Sequence, residues 1–208
     1  MKKRKLRVFR SLVFAVFLFA GLIALVNWVL DSALNFNPRE ETRSQRVSEQ
    51  VLEYEPLVAR YAKEKGVSEY TDVLLAIIMQ ESGGRGKDPM QSSESSCGKR
   101  GCIKNPDQSI KAGVAHFANM LNDADGDLEL AVQSYNFGRG FITYAKKESG
   151  GYTQDTAIDF SKKMYAKVKD KEKYRCIRPD SKKFDACYGD IYYVKSVMAY
   201  RPAIASES

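Results

Sequence analysis

The sequence predicts a mainly α-helical domain preceded by one N-terminal membrane-spanning helix. Three observations carry this. Apolar residues recur at helical spacing through most of the chain, Gly or Pro punctuates the ends of those segments, and twenty almost uninterrupted apolar residues, Ser11–Leu30, follow a basic start. The length of 208 residues suits one globular domain of about 160 residues plus an extra segment. The expected organisation is a basic cytoplasmic tail at 1–10, a transmembrane signal anchor at 11–30, a linker at 31–45 and the domain at 46–205.

The formal charge of +7 invites a nucleic-acid reading, but six of the 33 basic residues (Lys2, Lys3, Arg4, Lys5, Arg7, Arg10) stand in the first thirty positions, with no acidic residue there. That leaves 27 basic against 26 acidic groups, so the tail is basic and the domain is not. No nucleic-acid partner is expected. Twenty helical residues reach about 30 Å, the thickness of a bilayer core. Positive residues before the span put the N-terminus in the cytoplasm and the domain outside, with Trp28 at the outer interface. A cleaved signal peptide is the rival, but the span exceeds a usual signal core and Leu30-Asp31-Ser32-Ala33 offers no small-x-small cleavage site.

Asn35–Gln45 is polar, with a Pro and charges of both signs, and reads as a juxtamembrane linker. From Val47, apolar residues at 47, 51, 54, 58, 61 and 62 follow helical spacing; Pro56 bends or restarts the helix and Lys65-Gly66 ends it. Next come seven consecutive apolar residues, Val73–Met79, which leave no polar face, so a helix here is buried on every side. Thr71 can cap its start and Gly83-Gly84 its end. A short buried strand would show the same run, and periodicity alone does not separate the two. At the end of this segment sits one carboxyl, Glu81. An apolar surround, the partly negative helix C-terminus and any nearby carboxylate would each hold its proton on near neutral pH. The bland alternative is an ordinary surface Glu.

Gly83–Pro106 reads as a long loop, and a loop of this length in a compact domain is functional or tied down. Cys97 and Cys102 supply a tie; Cys176 and Cys187 are likewise close in sequence. Four cysteines in a domain expected outside the membrane point to disulfides. Sequence leaves three pairings open, and the local one (97–102, 176–187) is adopted. A zinc site is the alternative, but no C-x2-C pair exists, and no metal or cofactor is expected. Ile110, Val114, Phe117, Ala118 and Leu121 mark an amphipathic helix begun near Asp107, with the single histidine, His116, off the stripe and expected to be exposed. One His leaves little room for a Cys–His or Ser–His catalytic pair. Asp123–Glu129 mimics a calcium loop and then fails, because Leu128 stands where the tight-turn Gly belongs; Asp127 as a helix cap is the better account.

Leu128, Ala131, Val132 and Tyr135 continue as a helix to Gly138. Phe141–Lys147 and Thr153–Lys169 are two more, separated by Ser149-Gly150-Gly151. Residues 162–183 carry ten basic against three acidic groups, by default a solvated face. Tyr188–Val194 opens a last helix to Tyr200.

The order of three segments narrows the reading. Glu81-Ser82 is followed by Asp88-Pro89-Met90-Gln91 and then by Gln133-Ser134-Tyr135-Asn136-Phe137-Gly138. This resembles the lysozyme-like fold of goose-type lysozymes and lytic transglycosylases, and within it the lysozyme-like domain of CwlT-type cell-wall hydrolases, over roughly residues 46–201. The resemblance implies a cell-wall glycosidase with Glu81 as general acid, Asp88 as second carboxylate, and Ser82, Gln91, Tyr135 and Asn136 serving the substrate. Glu94 is the alternative second carboxylate, and the bland alternative for Asp88 is a residue that only starts the turn before Pro89. The implied reaction is cleavage of the peptidoglycan β-1,4 bond between N-acetylmuramic acid and N-acetylglucosamine by a muramidase, with a lytic transglycosylase as the alternative. The rival class is an inactive wall-binding scaffold in a conjugation or secretion assembly. Expected partners are peptidoglycan strands, the plasma membrane through 11–30, and conjugation or secretion machinery. The sequence carries no sign of a second catalytic domain, so peptide cleavage is expected from another chain.

Overall fold

A computed structural model describes residues 46–207; the tail, the span at 11–30 and the linker at 31–45 lie outside them. No helix among the described residues is long and apolar enough to cross a membrane. Those residues form helices and contain no strand: α1 (Glu49–Leu52), α2 (Glu55–Lys65), α3 (Thr71–Ser82), α4 (Ser93–Cys97), α5 (Pro106–Asp123), α6 (Leu128–Phe137), α7 (Gly140–Ser149), α8 (Gln154–Lys167), α9 (Pro179–Lys183), α10 (Tyr193–Met198) and α11 (Arg201–Glu207).

The apolar run is the central helix, α3. Val73 to Ile78 are all buried, and α1, α2, α10 and α11 pack around them. Burying its five large apolar side chains at roughly 2 kcal/mol each makes this helix a main contributor to the core. Met79, at the end of the run, is only half-buried. Arg201 fixes α11 to the start of α3 through Asp72, at 2.7 Å. The long α5 lies against α2 and α6, and α7 and α8 extend the bundle from α6. An aromatic cluster of Phe137, Phe141, Phe160 and Tyr188 joins α6, α7 and α8 to the C-terminal segment.

Local signals act as expected at most helix ends. Pro56 stands in the first turn of α2, so the first helical pattern is broken and restarted there. Gly66 and Gly83 end α2 and α3 in the left-handed conformation. Asp127 caps α6 by accepting from the Leu130 N–H at 3.0 Å, and the neighbouring acidic groups Asp123 and Asp125 pair with Arg139 and Lys146.

Four expectations change. Thr71 does not cap α3: a 3-10 turn, Ser68–Tyr70, leads into the helix, and the Thr71 hydroxyl donates back to the Ser68 carbonyl at 2.8 Å. The expected loop 83–106 contains α4, because Asp88 gathers the amide groups of Ser92 and Ser93. The last helix, expected from Tyr188 to Tyr200, is the shorter α10, and α11 follows beyond its expected end. His116 is half-buried rather than exposed, its ring edge-on to Tyr135 at 5.0 Å. Cys97 is joined to Cys102 and Cys176 to Cys187.

Candidate active site

Glu81 stands one residue before the end of α3, and the chain turns sharply behind it. Gly83 and Gly84 both have positive φ (63° and 83°). At Gly84 a Cβ would also crowd Val51 at 3.2 Å, so α1 lies directly on this turn. Ser48 donates to the Gly83 carbonyl at 2.8 Å and Tyr54 to that of Gly84 at 3.4 Å. The carboxyl itself receives one hydrogen bond, from the Tyr193 hydroxyl to Oε1 at 2.5 Å. Burial pushes Glu81 up from 4.5 to about 7; the Tyr193 bond opposes this, and the negative charges of Asp88 and Asp190 add to it. Tyr193 is itself held well above its ordinary value of 10 by burial and by Glu81, so it remains a donor.

Asp88 is also partly buried, yet it behaves in the opposite way. Its Oδ1 accepts from the Ser92 N–H at 2.9 Å and from the hydroxyls of Ser109 at 2.7 Å and Ser92 at 3.3 Å. Its Oδ2 accepts from the N–H and hydroxyl of Ser93 at 3.0 and 2.5 Å. Burial alone would raise this carboxyl, but the donors from Ser109, Ser93 and Ser92 outweigh it and hold Asp88 below the usual carboxylate range. The turn Asp88–Gln91 is closed by the Gln91 N–H on the Asp88 carbonyl at 3.0 Å, with Gln91 at φ 50°. Asp88 therefore does start a turn, and it also presents an ionised carboxylate near enough to Glu81 to be felt there.

The remaining expected site residues divide by where their polar atoms go. The Ser82 hydroxyl donates to the Pro89 carbonyl at 2.8 Å and accepts from the Gly84 N–H at 3.1 Å, which ties the end of α3 to the Asp88 turn. Tyr135 donates to the Met90 carbonyl at 2.9 Å, and its hydroxyl is pushed well above 10 by burial and then by the charges of Glu81 and Asp88. Met90 is fully buried against Gly113, where any Cβ would overlap its sulfur. Asn136 accepts the Asp190 N–H at 2.8 Å. Gln91 is exposed, with its amide on the Asp88 carbonyl at 3.1 Å. Glu94 is exposed and paired with Arg100 at 2.8 Å.

The structure thus gathers Glu81, Asp88, Tyr135 and Tyr193, with Ser82 as a tie. Sequence reasoning missed Tyr193 and the three serines around Asp88. The signals present were the Tyr188–Val194 segment and the serine run 92–96. Among the described residues no three of His, Cys, Asp or Glu come together in a way that could hold a metal ion.

Comparison with known proteins places this geometry in context. The lysozyme-like family profile matches residues 48–201. The chain is 38% identical over 154 residues to the bifunctional muramidase/DL-endopeptidase CwlT of Bacillus subtilis, covering 74% of this chain and 42% of that protein. It is 36% identical over 155 residues to the uncharacterized membrane protein YocA of the same bacterium, covering 73% of this chain and 68% of that one. A crystal structure from Staphylococcus aureus, described as similar to a lipoprotein of the NLP/P60 family, superposes with a TM-score of 0.65 at 35% identity, over 74% of this chain and 53% of the other. The chain spans less than half the length of CwlT and about half of the staphylococcal chain.

Proposed function

Since the chain belongs to the lysozyme-like family, we propose that it is a peptidoglycan hydrolase that cleaves the β-1,4 bond between N-acetylmuramic acid and N-acetylglucosamine. Glu81 is the general acid and Asp88 the second carboxylate. One observation carries this reading: two neighbouring carboxyls have opposite surroundings, Glu81 buried with one donor and held up at about 7, Asp88 ringed by donors and held below the usual carboxylate range. A glycosidase requires that division of labour, a proton for the leaving sugar oxygen and a negative charge for the oxocarbenium-like transition state. CwlT, a muramidase by name, supports the same substrate class.

In the mechanism Glu81 transfers its proton to the glycosidic oxygen as the bond to the anomeric carbon breaks. Tyr193 then stabilises the Glu81 carboxylate left behind, because its hydrogen bond favours the ionised form. Asp88 faces the growing positive charge. A carboxylate offers about four lone-pair directions, and five donors already occupy those of Asp88. We therefore assign it electrostatic stabilisation rather than attack on the anomeric carbon. Water completes hydrolysis, giving its proton to Glu81. Ser82, Tyr135 and Asn136 hold the two carboxyl-bearing segments and the Tyr193 segment in register, and Gln91 is the one of the expected substrate contacts exposed to a glycan.

The same saturation of Asp88 favours a second reading, lytic transglycosylation, in which the 6-hydroxyl of muramic acid closes on its own anomeric carbon and only Glu81 is required. Mass spectrometry of digested peptidoglycan separates the two. The proposal expects reducing muramic acid ends; predominantly 1,6-anhydro ends select the transglycosylase, and no glycan release selects an inactive scaffold. We place the domain outside the cell on an anchor at 11–30, a reading that the membrane protein YocA supports. Protease added to intact protoplasts should then release it, whereas protection would reverse the topology.

A further inference from the structure

The hydrogen bond from Tyr193 to Glu81 joins residues 112 positions apart, so something must hold the Tyr193 segment in place. Asp190 stands three residues before Tyr193 with only 2% of its surface exposed. Its backbone is gripped from α6: the Asp190 N–H donates to Asn136 at 2.8 Å, and its carbonyl accepts from Gln133 at 2.9 Å. Gly189 (φ 64°) permits this close approach, since a Cβ there would strike Asn136 and Phe137 at 2.6 and 2.7 Å. The Asp190 carboxylate accepts the Tyr192 N–H at 3.0 Å and so leads the chain into α10.

A buried carboxylate needs a counter-charge, and it comes from outside the site. Arg178 lies within the loop closed by Cys176–Cys187. It donates to Asp190 through Nε at 3.1 Å and Nη2 at 2.7 Å, and the same Nη2 donates to Ser196 of α10 at 2.7 Å. One guanidinium therefore holds both the turn before Tyr193 and the helix after it, a two-point grip that an ammonium group could not reproduce in full.

We propose that Arg178 and Asp190 are positioning residues that set the Tyr193 hydroxyl on Glu81, and that the Cys176–Cys187 loop serves to deliver Arg178. This rests on Glu81 being the acid. The groups that face Glu81 are Asp88 from its turn, Tyr135 from α6, and Tyr193 and Asp190 from the C-terminal segment; His116 touches Tyr135. Loss of Arg178 has two consequences of one sign. Asp190 is no longer offset, and Tyr193 is freed from its place; each favours the protonated form of Glu81.

The test measures Glu81 by carboxyl-carbon NMR titration in the full chain, beside kcat and KM for release of fragments from soluble peptidoglycan. Arg178→Ala is expected to move the Glu81 titration above its value in the unaltered chain and to lower kcat roughly 10-fold, the worth of one hydrogen bond to a charged group, with KM little changed. Arg178→Lys should recover part of both. Adding Tyr193→Phe to Arg178→Ala should cost no more than Tyr193→Phe alone, because the two act through one contact. Where Arg178→Ala does not fold, Arg178→Gln carries the same comparison. An unmoved Glu81 titration overturns the proposal, as does lost activity that multiplies in the double variant, the mark of a role in stability alone. Absence of glycan cleavage by the unaltered chain would instead defeat the functional reading, and the titration would still decide the Arg178 question.

Discussion

Two carboxylates of the domain, each close in sequence to a disulfide, are held by donors of different kinds. Near Cys97–Cys102, Asp88 is held by the hydroxyl and amide groups of Ser92 and Ser93 and by the Ser109 hydroxyl, with no cation among the described residues bonded to it. Near Cys176–Cys187, Asp190 is held by the guanidinium of Arg178. Between them Glu81 has one donor, Tyr193, and stays protonated near neutrality. The contrast teaches that burial does not by itself set charge state here. Burial raises both carboxyls and weighs more at Glu81; the single donor there does not offset it, whereas the donors on Asp88 do. On the proposed mechanism, neutral donors leave the charge of Asp88 available to a cationic transition state, whereas Arg178 pairs with Asp190.

The largest expected effect comes from removing the one transferable proton. Glu81→Gln should lower glycan cleavage by about 10²–10⁴-fold with the fold retained; comparable activity would end the assignment. Next, Asp88→Asn should lose activity roughly 10²-fold on the hydrolytic reading, since the amide keeps the shape but not the charge. Retained activity with anhydro products would make Asp88 a turn residue only.

The third effect is on stability, and its sign follows from the raised carboxyl. Glu81 sits at about 7 in the folded chain against 4.5 ordinarily. Its favourable share is therefore complete below that ordinary value and is lost as pH rises through about 7. Ionising it in place costs on the order of 3 kcal/mol at alkaline pH. Glu81→Gln should thus raise Tm by several degrees at about pH 8 and have little effect at about pH 4, as thermal unfolding can check. A smaller loss, about 2 kcal/mol from chain entropy, is expected when Cys97 and Cys102 are both changed to Ser. A larger fall in activity than in stability would show that this tie also holds the Asp88 turn.

Much of the fold was legible because it is local. The run Val73–Met79 has no face left for water, Gly66 and Gly83 supply left-handed ends, and Asp127 precedes an apolar stripe. The exceptions have physical causes. α4 forms from a serine run of poor helix propensity because Asp88 collects its first amides. Thr71 spends its hydroxyl on Ser68 because a 3-10 turn precedes it. In the site, Glu81 and Asp88 stood out by their place after the apolar helix and by family resemblance. Tyr193, Ser109 and Arg178 did not, since each acts across 18 or more positions or on a partner that no local pattern links to it. Asn136 and Ser82, expected at the substrate, also bond to the protein, Asn136 to the segment carrying Tyr193 and Ser82 to the Asp88 turn.

The most direct measurement is the carboxyl-carbon NMR titration of Glu81 and Asp88 in one sample of the unaltered full chain. The account predicts that Glu81 titrates near 7 while Asp88 titrates below the usual carboxylate range. Glu81 titrating near its ordinary 4.5, or the two carboxyls titrating together, would contradict it.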